Sequence, residues 1–159
     1  MKKTLIKNAK IYDGSGKPAF FGDVLIEGER IVQIAVSIPV ESEFEVVDLE
    51  GLSIAPGFID AHSHNDWFAL REDPLKYFAP FIRQGITTFV SGNCGLAATG
   101  FSDDTPYKDK IGGGLFFFKD AEAKGQVKDF LEAADGNMPC NLAVLAGHCT
   151  ALCSVSLSV

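Results

Sequence analysis

"APGFIDAHSHNDW", residues 55–67, holds two of the three histidines in a chain of 159 residues, and its reading decides the fold. His62 and His64 stand one residue apart, directly after an apolar run. In an extended strand residues i and i+2 face the same side, so the two imidazoles project together and Ser63 turns away. Two neutral imidazoles at one strand end can share a divalent metal, and Asp60 and Asp66 are near enough in sequence to orient their ring N–H groups. Alone, the pair also has a plainer reading, because histidines fall at this spacing on ordinary surfaces and in ordinary cores.

Outward from this stretch, the chain after Leu52 alternates strand and helix. Asp73-Pro74 reads as a helix start, with Asp as N-cap and Pro at the first helical position. Leu75, Phe78, Ala79 and Ile82 then fall on one helical face, which Pro80 should kink or restart, and Gly85 fits the C-terminal cap. "ITTFV", 86–90, is a β-branched strand that runs into "SGNCG". Residues 99–118 are Gly-rich and irregular, an active-site loop or a surface insertion. "KDAEAKGQVKDFLEAAD", 119–135, puts Val127, Phe130, Leu131 and Ala134 on one face and predicts a helix despite Gly125. "NLAVLAGH", 141–148, reads as a buried strand that ends in His148. This alternation argues for a parallel sheet with helical crossovers.

Before residue 55 the pattern is different. "TLIKNAKIY", 4–12, leads into turn formers; "GDVLIEGERIVQIAV", 22–36, reads as a hairpin turning at Gly28; "FEVVDLEG", 44–51, is a further strand and turn. No histidine or cysteine lies here, so residues 1–55 read as a small β module and 56–159 as the part that carries chemistry.

An apolar fraction of 47% suits a globular core. Fourteen basic against twenty-one acidic residues, a net charge of −7, leave no broad cationic surface and argue against nucleic acid. No apolar run approaches the roughly 20 residues that cross a bilayer, and the N-terminal stretch lacks a signal-peptide pattern. The expectation is a cytoplasmic protein without membrane partners. Four cysteines, Cys94, Cys140, Cys149 and Cys153, come without CxxC spacing. Each reads by default as a small buried hydrophobe rather than part of a disulfide framework.

Cys94 is the exception, by position. The histidine pair ends the first strand of the alternating series, Cys94 ends the second and His148 the third. In a (β/α) barrel those strand ends line the active site. Two imidazoles and a thiolate favour zinc over calcium or magnesium. Gly92 and Gly95 let backbone come close, and the Asn93 amide is placed to hydrogen-bond an oxygen ligand. His148 has two readings, a substrate-proximal group or a hydrogen-bonded structural histidine.

At these residues the chain resembles a known family. "APGFIDAHSHND" followed by "QGITTFVSGNCG", 84–95, is similar to the metal-dependent amidohydrolases, and within them to the N-acyl-D-amino-acid deacylase (D-aminoacylase) branch. The first motif is shared with dihydroorotases and hydantoinases, whereas the GNCG cysteine stands where many relatives use a carboxylated lysine. The resemblance implies an α/β fold: a partial (β/α)8 TIM-like barrel of three βα units, preceded by a small β-sandwich portion. It implies His62, His64 and Cys94 as metal ligands and one or two zinc ions. It also implies a small N-acyl amino acid substrate, hydrolysed by a zinc-activated water with a carboxylate as general base.

The resemblance also marks what is expected elsewhere. The family's further histidines and its general-base Asp come from later strands, expected beyond residue 159, in members roughly three times as long. The catalytic residue is therefore unknown from these positions. The expectation is a truncated chain, inactive alone, that binds zinc weakly, with an open sheet edge able to self-associate. Two other readings stay open: an amidohydrolase of cyclic amides, and a non-catalytic metal-binding remnant.

Overall fold

Leu5, Ala9 and Ile11 are buried along Lys3–Ile11, and this stretch becomes β1, the strand around which the first sheet is built. The structure is a computed structural model that describes residues 2–106 and 123–155. β2 (Phe20–Glu27) runs antiparallel to β1, and β3 (Arg30–Ala35) antiparallel to β2. Gly28 makes the turn between them with φ +59°, as the hairpin reading expects. β4 (Phe44–Asp48) and the short β5 (Ser53–Ile54) lie parallel to β1, giving the order β3-β2-β1-β4. Leu5, Leu25 and Ile38 form one apolar cluster of this sheet, and Ala9, Ile11 and Val24 a second. β3 is an edge strand whose Ile31 is 64% exposed.

The register of β1 against β2 shifts between Ile6 and Ala9. At this bulge Asn8 takes φ +56°, and the buried Asp23 pins it. Asp23 accepts hydrogen bonds from Lys7 Nζ (2.6 Å), Ile38 N (2.9 Å) and Asn8 N (3.0 Å). Burial alone would push this carboxyl upward; the Lys7 ammonium and the two amides outweigh it and hold the pKa below its ordinary value.

The chain divides into two compact units, Met1–Pro56 and Gly57–Val159. In the second, β6 (Phe58–Asp60), β7 (Ile86–Ser91) and β8 (Asn141–Val144) form a parallel sheet in that order. Helix α1 (Pro74–Ile82) connects β6 to β7, and α2 (Val127–Ala134) precedes β8. Phe78 and Phe81 of α1 meet Phe89 of β7 edge-on, with centroids 5.3 and 5.4 Å apart. Trp67, Ala69, Ala98 and Phe130 form a buried cluster that Leu142 and Val144 of β8 join from the side.

Several details depart from the sequence reading. Pro80 lies inside an unbroken α1: a proline in the second turn of a short helix displaces few intrahelical bonds. The inward face of α1 is set by Phe78 and Phe81, and Leu75 is 54% exposed. Asp73 is the N-cap residue of α1 but makes no side-chain capping bond. Gly125 stands before α2 rather than within it. β8 is not a buried strand, since Asn141 and Ala143 are exposed, and it ends four residues before His148. His148 instead begins a short helix, α3 (His148–Cys153). Residues 107–118 of the Gly-rich stretch lie outside the described residues. Among those described, no helix is long and apolar enough to cross a membrane.

Candidate metal centre

β6 ends at Asp60, so His62 and His64 lie just past the strand rather than on it. The alternation nevertheless carries on for a few residues. Ser63 N–H donates to Val90 O of β7 at 2.9 Å, and Ser63 is buried while His62 is exposed and His64 half-buried. The rings meet edge to face with centroids 5.6 Å apart. Asp60 Oδ1 accepts the His62 backbone N–H at 3.2 Å, which fixes the turn after the strand.

β7 ends at Ser91 and opens into a tight turn, Asn93–Gly95. Cys94 takes φ +55°, ψ 16° there, a left-handed conformation that costs an L-residue roughly 1–2 kcal/mol. Its neighbours allow it. A Cβ on Gly92, whose φ is +85°, would collide with Leu145 O, and one on Gly95 (φ +76°) would stand 2.8 Å from Cys149 Sγ. The glycines of "GNCG" are therefore needed to seat this turn against the segment after β8. Thr150 locks the contact from α3: its buried hydroxyl accepts from Ala97 N at 2.9 Å and donates to Ala97 O at 3.2 Å.

The result is a cluster. Each of His62, His64 and Cys94 offers a ligand atom, and the three atoms lie within 4.8 Å of one another. His62 Nε2 and Cys94 Sγ are 3.1 Å apart, sharing a hydrogen bond whose direction follows the imidazole tautomer. Two imidazoles and a thiolate at one point suit a catalytic zinc, which takes three protein ligands and keeps a position open. Among the described residues no carboxylate joins these three atoms.

The other residues singled out by the sequence sit around this cluster in different roles. Asp66 is fully buried, and its Oδ2 accepts from Ala98 N at 2.7 Å. Burial pushes its carboxyl above the ordinary value; the Ala98 amide and the Ser91 side chain pull it back in part, and His64 more weakly. Ser91 Oγ, itself buried, sits outside good hydrogen-bond geometry. Asn93 does not hold its amide N–H groups toward an incoming ligand. They donate to Val90 O (3.0 Å) and Ala61 O (3.3 Å). His148 is exposed at the start of α3 and is not part of the cluster. Cys149 is exposed too, against the buried reading, and its thiol lies 3.9 Å from Cys94 O. Among the described residues Cys94, Cys140 and Cys149 are free thiols. Val90 O, Ala97 and Thr150 escaped the sequence reading, for backbone acceptors and a lone threonine leave no pattern in composition or spacing.

Residues 45–159 match the model of an amidohydrolase family. The D-aminoacylase of Alcaligenes xylosoxydans xylosoxydans is 33% identical over 150 residues, which cover 92% of this chain and 29% of that protein. A solved D-aminoacylase with a binuclear metal centre superposes with a TM-score of 0.73 at 29% identity, over 98% of this chain and 31% of that one. An N-acyl-D-glutamate deacylase from Bordetella bronchiseptica, solved with zinc and a phosphonate inhibitor, gives a TM-score of 0.65 at 28% identity, over 91% of this chain and 29% of that one. The chain spans less than a third of the length of the curated relatives it matches.

Proposed function

This chain belongs to the amidohydrolase family, and on that premise we propose that it carries the zinc-ligand part of an N-acyl-D-amino-acid deacylase site. The observation that carries the reading is the convergence of His62, His64 and Cys94 within 4.8 Å. Zinc bound there would polarise an acyl carbonyl and activate water at neutral pH. His62 and His64 would bind through neutral ring nitrogens and Cys94 as thiolate, so loading releases protons. Asp60 fixes the turn that presents His62. A small N-acyl-D-amino acid is the substrate class that the similarity to D-aminoacylase and N-acyl-D-glutamate deacylase supports. On this reading β6, β7 and β8 are three strands of a (β/α)8 barrel, residues 56–159, and residues 1–55 belong to a β-sandwich portion. Three free thiols suit a reducing compartment such as the cytoplasm.

No carboxylate joins the three ligands among the described residues, and this chain alone is expected not to turn over N-acyl-D-amino acids. Release of amino acid above a Cys94→Ala control would overturn that. Zinc titration tests the ligand reading directly: about one ion per chain is expected, with affinity falling at least ~10-fold in His62→Ala and in Cys94→Ala. Equal zinc binding by both variants would remove the proposal.

A further inference from the structure

The Asn93 carboxamide bridges the two strand ends that bear the ligands. Its Nδ2 donates to Ala61 O, the carbonyl just before His62, at 3.3 Å, and to Val90 O, four residues before Cys94, at 3.0 Å. Val90 O also accepts Ser63 N–H at 2.9 Å, from between the two histidines. One carbonyl of β7 and one side-chain NH2 thus hold the histidine segment against the turn that presents Cys94. That turn has no regular ladder of its own, because β6 ends at Asp60, β7 at Ser91, and Gly92, Cys94 and Gly95 all have positive φ.

We infer that Asn93 is a positioning residue: its two N–H bonds set the separation of the imidazoles from the Cys94 thiol, and so the geometry any metal meets. The inference rests on the metal reading above and deepens it. It assigns the side chain a different part from contact with an incoming ligand. Both its donors already face main-chain oxygens, and an acid at this position would turn a lone pair toward each of them.

Asn93→Asp and Asn93→Ala test this in the whole chain with two readouts. In the metal-free protein, Ser63 N–H exchange should accelerate about tenfold or more, while the Ala98 amide, bonded to Asp66, keeps its protection. With Co2+ as probe, the thiolate-to-cobalt absorption should shift and affinity fall ~10-fold or more, further in Asn93→Asp than in Asn93→Ala. Exchange and cobalt binding within twofold of the parent in both variants would overturn the inference. Loss of Ala98 protection in both would also overturn it, since Asn93 would then hold the unit as a whole. If the parent chain gives no thiolate-to-cobalt band, the metal reading fails, and Ser63 exchange still decides whether Asn93 ties the two strand ends.

Discussion

Asp23 in the first unit and Asp66 in the second are both buried, 3% and 0% exposed, yet their surroundings push them in opposite directions. Asp23 receives an ammonium and two backbone amides, and its carboxyl is held low. The Asp66 carboxylate accepts the Ala98 amide but no ammonium among the described residues; burial prevails and its carboxyl is held high. The same contrast runs through the units. The first closes its buried charge on itself, binding a bulge and the Ile38 segment into the sheet. The second leaves two imidazoles and a thiolate open at its strand ends and holds them with backbone contacts that only glycine permits. A unit of the first kind carries structure, and one of the second kind can carry chemistry.

The largest test bears on the glycine contacts. Gly92→Ala adds a left-handed penalty to a collision with Leu145 O, together about 3–4 kcal/mol of lost stability. Trp67 is the sole tryptophan and lies in the core of the second unit, so denaturant unfolding followed by its fluorescence measures the loss. A change below about 1 kcal/mol would mean the turn relaxes freely, and the contrast between the units would weaken.

Asp23→Asn comes next. It leaves the Lys7 ammonium without its carboxylate, and breaking a largely buried pair costs about 3 kcal/mol. Amide exchange along β1 is the measurement. The pH dependence follows from the lowered pKa. The folded state binds the proton less readily than the unfolded chain, so the stabilisation is complete above the ordinary carboxylate pKa. It disappears as pH falls through the lower, folded value. Asp23→Asn should flatten that acid limb, and an unchanged limb would show that other carboxylates govern it.

Thr150→Val probes the seat of the Cys94 turn from the other side. It removes the donor and acceptor that serve Ala97 N and O in a buried place, at a cost of about 1–3 kcal/mol. The same Trp67 transition reports it. A neutral substitution would mean that the glycine contacts suffice without this lock.

Much of this contrast was legible in the residues themselves. The i, i+2 spacing of His62 and His64 put two rings on one side, and the strand–helix alternation put Cys94 at the neighbouring strand's end. Local pattern carries such features, because strand periodicity and turn formers act over a few residues. The departures arise where distant groups decide. Whether β8 is buried depends on what covers it, not on its apolar run. Phe89 selects the face of α1, and Leu75, equally apolar, is left outside. The roles of Asn93 and Asp66 turned on Ala61 O and Ala98 N, each 32 residues away in sequence, and a backbone atom leaves no mark on composition or motif.

Asp66→Asn is the smallest expected effect and the sharpest test of the comparison. If Asp66 resembled Asp23, removing its charge would cost several kcal/mol. The structure argues otherwise. The Asp66 carboxylate accepts Ala98 N–H at 2.7 Å, a bond that an Asn carbonyl can accept in its place. Burial already opposes the charged form, so a neutral side chain of the same shape avoids that penalty. The expected change, measured by Trp67 unfolding with chelator present, is therefore within about 1 kcal/mol, against about 3 for Asp23→Asn. A loss equal to that of Asp23→Asn would mean that Asp66 is stabilised as an anion, and that the second unit, like the first, closes its buried charge on itself.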